Sequence, residues 1–180
     1  MELTRHFVAT VYVVHDGATA LHEHDKLGMW LPPGGHVERD ELPHVTARRE
    51  VSEELGLDID LVAPESEITS PTVASIPRPQ HFLLEDIDVC EGEVGHQHVD
   101  FIYYGRAENR EVTPAAGEQP AADWEWFTAD ALDRRAAKGR GFPDGDIRVA
   151  RFLGGSNTLS RGQRHGLPPD YYHGCAFQRM

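Results

Sequence analysis

The apolar residues of this chain fall mostly into short β-branched and aromatic runs, with one clear helical stripe among them. F-V-A-T-V-Y-V-V-H, Phe7–His15, predicts a buried strand. Asp16-Gly17 is a tight-turn signal, and T-A-L-H-E-H returns as a partner strand. G-M-W-L-P-P-G-G, Gly28–Gly35, is an extended piece ended by Pro and Gly. A helix is expected from about Glu41 to Leu55, with Asp40 as N-cap, Pro43 tolerated in the first turn and Gly56 as the C-terminal stop. Its apolar stripe is Ala47, Val51 and Leu55. D-I-D-L-V-A then alternates as a half-buried strand, and Ser66–Gln80, with Pro71, Pro77 and Pro79, reads as loop.

H-F-L-L-E-D-I-D-V and H-Q-H-V-D-F-I-Y-Y-G-R-A predict two long strands joined near Gly92–Gly95. A Pro/Ala/Gly/Glu loop, Thr113–Ala122, leads into W-E-W-F, whose Trp124 and Trp126 share a face, so that at least one packs inside. Helical signals cover Ala129–Ala137 and Gly145–Leu153. Strands joined by mainly antiparallel connections, with few helices, give an α+β fold with a mixed sheet.

Composition divides the chain. Up to Leu153 there are 14 basic and 29 acidic residues, a balance of −15; the remainder has three arginines and one aspartate, a balance of +2. Residues 1–153 are therefore expected to form one domain, and 154–180 a flexible or loosely docked extension. At 180 residues the chain is long enough to bury a core. No apolar run approaches a membrane span, and M-E-L-T-R-H-F lacks a signal-peptide layout. Cys90 and Cys175 form neither a metal-type spacing nor a disulfide framework, so a reducing cytoplasm is the expected setting.

The net charge of −13 argues against duplex nucleic acid as a partner, but not against a small phosphate-bearing molecule bridged by cations. Lys26 and Lys138 are the only lysines against fifteen arginines. Acidic surfaces with little lysine resemble proteins of salt-loving organisms, although a GC-rich genome also exchanges Lys for Arg.

The helical segment carries the chemistry. Glu50, Glu53 and Glu54 lie within an arc of roughly 100° on one side of it. Such like charges repel by roughly 0.2–0.5 kcal/mol per pair. A solvated acidic face, relieved by Arg49 pairing with Glu53, is one explanation. A socket for a hard divalent cation such as Mg²⁺, which takes carboxylate oxygens, is the other.

The whole stretch decides between them. Gly35, Glu41, Arg49, Glu50, Val51, Glu53, Glu54, Gly56 and Leu57 reproduce the Nudix box: Gly, five residues, Glu, seven residues, Arg-Glu, an aliphatic, one residue, Glu-Glu, one residue, Gly, an aliphatic. Nine specified positions across twenty-three residues make a specific signal. The chain thus resembles the Nudix hydrolase superfamily, and its strand order fits the Nudix fold, a mixed sheet sandwiched between helices, over roughly residues 3–153.

The resemblance implies roles by position. Glu50, Glu53, Glu54 and the Gly35 carbonyl would ligate Mg²⁺ (or Mn²⁺), with Glu53 also a candidate general base. Arg49 would orient the glutamates, and Glu41 and Gly56 would be structural. A further carboxylate before the W-x-W-F strand completes the site in some relatives; Glu118 is the candidate, with Glu91, Glu93 and Asp100 as others. The implied activity is hydrolysis of a nucleoside diphosphate linked to another moiety: ADP-ribose, a nucleotide sugar or a (deoxy)nucleoside triphosphate. Metal would neutralise phosphate charge and acidify water, while a carboxylate takes the proton. Many relatives form homodimers.

Arg5, Arg78 and His81 are candidate phosphate or ribose contacts, Arg78 above all because flanking prolines pre-position it. Trp30, Phe82 and Tyr103 are candidates for stacking on a base. The pairs His22/His24 and His96/His98 alternate on strand faces and could chelate, but are read as surface or substrate-contacting histidines. Two rival readings remain: a Nudix-fold module that binds nucleotide without turnover, and an isopentenyl diphosphate isomerase-like enzyme. The first commonly loses box glutamates, all of which are present here; the second needs a pocket cysteine.

Overall fold

A computed structural model describes residues 3–24, 28–63 and 68–136. The helix expected at 145–153 and the extension 154–180, with the domain boundary between them, lie outside the described residues. The described strands are β1 (Thr4–His15), β2 (Ala18–His24), β3 (Met29–Leu31), β4 (Gly34–His36), β5 (Ile59–Leu61), β6 (Thr69–Ser70), β7 (Val73–Ala74), β8 (His81–Cys90), β9 (Glu93–Ala107) and β10 (Trp124–Thr128). The helices are α1 (Pro43–Leu55) and α2 (Ala129–Ala136). The fold is α+β, as expected.

The main sheet runs β10-β2-β1-β9-β5, with β3 beside β2, β4 beside β1 and β8 beside β9. β1 and β9 are parallel, from Thr4 opposite His96 to Val14 opposite Arg106, and the other pairings are antiparallel. β1 earns its central place through an apolar run that serves both faces. Ala9, Val11 and Val13 pack with Ala47, Val51 and Leu55 of α1, with Leu57 and with Tyr103. On the opposite face Tyr12 joins Leu21, Ile102, Tyr104, Phe127 and Leu132. Trp124 is buried and Trp126 half-buried against the α1-side cluster.

Turn chemistry follows the sequence at Asp16-Gly17 and Glu91-Gly92, where both residues have positive φ, as a hairpin of the sheet's twist requires. Ser66–Gln80, expected as loop, includes the small β6–β7 hairpin. β8 leaves Phe82, Leu83, Leu84 and Ile87 exposed along the edge of the sheet.

The start of α1 departs from expectation. The helix begins at Pro43, not at Glu41, and its N-cap is Leu42, which makes no side-chain cap bond; Asp40 lies in the preceding turn. A proline disfavours helical geometry in the residue before it, and Leu42 is extended at φ −102°, ψ 148°. Glu41 is thereby left outside the helix, with its carboxylate reaching Thr46 Oγ1 at 2.8 Å and the Arg49 guanidinium.

The C-terminus of α1 is built as expected and also holds a loop. Gly56 has φ +67°, and its N–H donates to the Ser52 carbonyl. Thr113 N–H donates to Leu55 O at 2.8 Å and Ala115 N–H to Glu53 O at 2.7 Å, so carbonyls at the helix end are satisfied by the segment that leads to Glu118. A Cβ on Gly56 would collide with the Thr113 hydroxyl and carbonyl. Gly56→Ala is therefore expected to cost about 1–3 kcal/mol, from left-handed strain and displacement of Thr113. Urea unfolding checks it; a change below about 0.5 kcal/mol would show that neither constraint is real.

Candidate functional site

Two consecutive glycines let the chain pass between β1 and α1. Gly34 sits opposite Thr10, where an added Cβ would lie 2.7 Å from the Ala9 carbonyl oxygen. At Gly35 a Cβ would overlap the Glu50 carboxylate, which rests directly over the glycine. The absence of a side chain there is what lets a helix carboxylate approach the loop backbone.

On α1, Ala47, Val51 and Leu55 fix the helix's rotation against the sheet, so the glutamates emerge along its flank. They form a gradient of burial. The Glu53 side chain is 44 % exposed and that of Glu50 14 %, and Glu54 is at the edge of full burial, with Oε1 accepting the Gly34 N–H at 2.9 Å.

Arg49 binds this group together. Its Nε and Nη2 donate to the two oxygens of Glu41 at 2.9 and 3.0 Å, a bidentate pair. Nη1 donates to Glu50 Oε1 at 2.9 Å and to Glu53 Oε2 at 2.8 Å, and Nη2 also reaches the His36 carbonyl at 3.3 Å. These partners, Glu41 foremost, raise the Arg49 pKa further, and the Arg49 hydrogen bond draws that of Glu41 down.

Charge balance fails deeper in. Burial raises the pKa of Glu50 despite Arg49. Burial pushes Glu54 up to about 8; the Gly34 N–H opposes this, and the charges of Glu50, Glu118 and Glu53 add to it. Glu118 thus stands close enough to act on both Glu50 and Glu54, carried there by the loop docked on the helix end. This donor set is made of hard oxygens around a backbone cradle, and it is short of positive charge. It fits Mg²⁺ or Mn²⁺.

The structure gathers Gly35, Glu41, Arg49, Glu50, Glu53, Glu54 and Glu118 into one group. The proposed substrate contacts are dispersed. Arg5 Nε donates to Gln97 Oε1 at 2.7 Å, and Gln97 in turn donates to Asp86. Arg78 is exposed on the loop before β8. Trp30 lies edge-on to Phe127 at 4.9 Å with the Arg135 guanidinium 4.9 Å from its ring centre, and His81 contacts the Tyr104 hydroxyl at 3.3 Å. Both therefore lie against the Tyr12–Leu132 cluster, on the face away from α1. Tyr103 is buried in the core on the α1 side, so it offers no face for stacking; burial raises its pKa to about 12. Phe82 is exposed and packs edge-on to Phe101.

Asp100 is buried, accepts the Thr10 hydroxyl at 2.9 Å, and leaves Oδ1 without a hydrogen-bond partner among the described residues. Burial and the nearby Glu85 raise its pKa to about 7. Nothing in the hydrophobic pattern distinguishes Asp100 from an edge carboxylate. Cys90 corrects a further expectation, because it is disulfide-bonded. The isomerase-like reading thereby loses Cys90 as a reactive thiol.

A family model described as the NUDIX domain matches residues 4–145. Among solved structures, a NUDIX-family hydrolase from Clostridium perfringens is 28 % identical with a TM-score of 0.67, covering 83 % of this chain and 96 % of that one. The mMutator MutT protein from Bacillus halodurans shares the fold at 20 % identity and TM-score 0.53, covering 82 % of each chain. A UDP-X diphosphatase does so at 14 % and 0.54, over 86 % of this chain and 65 % of that one. No curated protein matches. With the family model spanning most of the chain and the box residues assembled on a loop and helix, this protein belongs to the Nudix family.

Proposed function

We propose that this protein is a Mg²⁺-dependent pyrophosphohydrolase that cleaves a nucleoside diphosphate linked to another moiety by attack of water at phosphorus. The observation that carries this reading is the seating of Glu50 over Gly35 and of Glu54 on the Gly34 N–H, with Arg49 tying Glu50 to Glu53 and Glu118 alongside. A purely solvated acidic face would leave Glu54 exposed; instead it is buried and resists ionisation.

In this reading Glu50, Glu53, Glu54 and the Gly35 carbonyl hold the cation. When bound, the metal supplies a Lewis acid that neutralises phosphate charge and acidifies water. The protein's own residues do the rest. Glu53, the most exposed of the three, would take the proton of the attacking water, with Glu118 the competing base. Arg49 holds Glu50 and Glu53 in a common direction while Glu41 holds Arg49, which limits the reorganisation needed on substrate arrival. Arg78, exposed and flanked by prolines, is the candidate substrate contact in this reading. ADP-ribose, nucleotide sugars and (deoxy)nucleoside triphosphates are the substrate classes to compare.

A screen of these compounds with Mg²⁺, reading released phosphate or monophosphate, tests the activity; tight binding without turnover would favour a nucleotide-binding module. On the substrate that is turned over, Glu53→Gln is expected to lower kcat by about 10²–10⁴-fold, with Glu118→Gln as the comparison for the base. Unchanged kcat in Glu53→Gln would remove that residue from the role.

The sign of the pH dependence follows from burial. Glu54 has a folded pKa of about 8 against 4.5, and Asp100 about 7 against 3.8. Groups raised on folding contribute stability that is complete below the unfolded value and is lost as pH rises through the folded one. In EDTA the melting temperature is thus expected to fall between about pH 6.5 and pH 8, above the range in which His36, His44 and His98, whose pKa values burial lowers, act in the opposite sense, and Mg²⁺ should restore it most at the alkaline end. Glu54→Gln should reduce the slope of the EDTA profile, with Asp100, Glu50 and Glu85, also raised by burial, leaving a residual. An identical slope in that variant would exclude Glu54 as its source.

A further inference from the structure

Away from the carboxylates, four histidines meet on one face of the sheet. Register puts them there: His6 on β1 lies opposite His98 on β9, His96 is two residues along on the same face, and His36 on β4 sits opposite Val8. The rings form a closed quartet, with centroids 5.1 Å apart for His6–His36, 5.2 Å for His36–His98, 5.0 Å for His98–His96 and 4.7 Å for His96–His6. One potential ligand nitrogen from each of His6, His36 and His96 lies within 4.8 Å of the others.

We propose that His6, His36 and His96 form a second metal site, selective for a borderline divalent cation such as Zn²⁺, with His98 or water in the fourth position. Imidazole nitrogen suits Zn²⁺, Cu²⁺ or Ni²⁺ and is a poor choice for Mg²⁺, so the two sites differ in chemistry as well as place. Tetrahedral Zn–N bonds of about 2.0–2.1 Å put ligand nitrogens about 3.4 Å apart. The 4.8 Å spread must therefore close by about 1.4 Å, which rotation of exposed or half-exposed side chains permits.

The surroundings of His96 already favour ligation. Thr4 Oγ1 lies 3.3 Å from the Gly95 carbonyl and 2.8 Å from His96 Nδ1. A hydroxyl that donates its one proton to the carbonyl must accept from Nδ1–H, and that tautomer leaves the Nε2 lone pair for a metal. Edge-to-face packing of surface imidazoles explains any one of the ring contacts. It does not explain why ligand atoms from three separate strands converge.

The site has a structural consequence. His36 follows Gly35, and its carbonyl accepts from Arg49 Nη2. A cation here clips β4 to β1 and β9, and so fixes the backbone on which the carboxylate group rests.

The test is Zn²⁺ binding to the 180-residue chain under saturating Mg²⁺, which competes for the carboxylates. One Zn²⁺ per chain and a Zn²⁺-dependent rise in melting temperature are expected. In a His6→Gln/His96→Gln double variant affinity should fall by about 100-fold, since ligands matter at least as much as the groups behind them. Wild-type affinity in that variant, or no Zn²⁺ bound by the wild type, would overturn the site. A second measurement needs no variant: diethylpyrocarbonate modification mapped by mass spectrometry. Zn²⁺ should protect His6, His36 and His96, and unchanged labelling of all three would equally overturn it.

Discussion

Arg49 makes hydrogen bonds to three carboxylates at 2.8–3.0 Å and to the His36 carbonyl at 3.3 Å, and the candidate site is arranged around that one guanidinium. A planar fork of five donors can hold Glu41 bidentately while its remaining N–H groups orient Glu50 and Glu53; an ammonium has no such geometry. The arrangement depends on two features of the backbone. Pro43 keeps Glu41 outside the helix, where it can face back to Arg49. Gly35 leaves room for the Glu50 carboxylate above its Cα. The positive charge is placed at the outer rim, so Glu54 beneath it has no cationic partner among the described residues and is held at a raised pKa by burial.

The other end of α1 shows how the fold brings in a residue distant in sequence. Leu55 and Glu53 carbonyls accept from Thr113 and Ala115, and that pairing carries Glu118 to the glutamates. Gly56 allows it, by adopting a left-handed conformation and by leaving the space Thr113 occupies. One glycine thus serves both helix termination and site assembly.

Much of this was legible beforehand because the relevant signals are local. The box lies within twenty-three consecutive residues, and β1, the Asp16-Gly17 turn and the long β8–β9 hairpin each announce themselves through apolar runs and turn residues. What local pattern does not carry is register. The His quartet joins residues ninety positions apart through the parallel β1–β9 pairing, so reading His96 and His98 as an isolated pair missed His6 and His36. The burial of Asp100 was hidden for the same reason. The start of α1 was misplaced because Asp40 is a good cap by residue type, while the backbone preference imposed on Leu42 by Pro43 sets the boundary. Trp30 and Tyr103 illustrate a different limit: a strand aromatic suits a base-stacking role and a core role equally until its neighbours are known.

The central claim is that the buried, under-compensated carboxylates form a cation socket. A metal that binds there must displace the proton held by Glu54 near neutral pH. Isothermal titration of Mg²⁺ into the metal-free protein at pH 7, repeated in buffers of different ionisation enthalpy, measures that displacement directly. The account predicts binding coupled to release of about one proton per chain. Binding without proton release, or no binding, would contradict it.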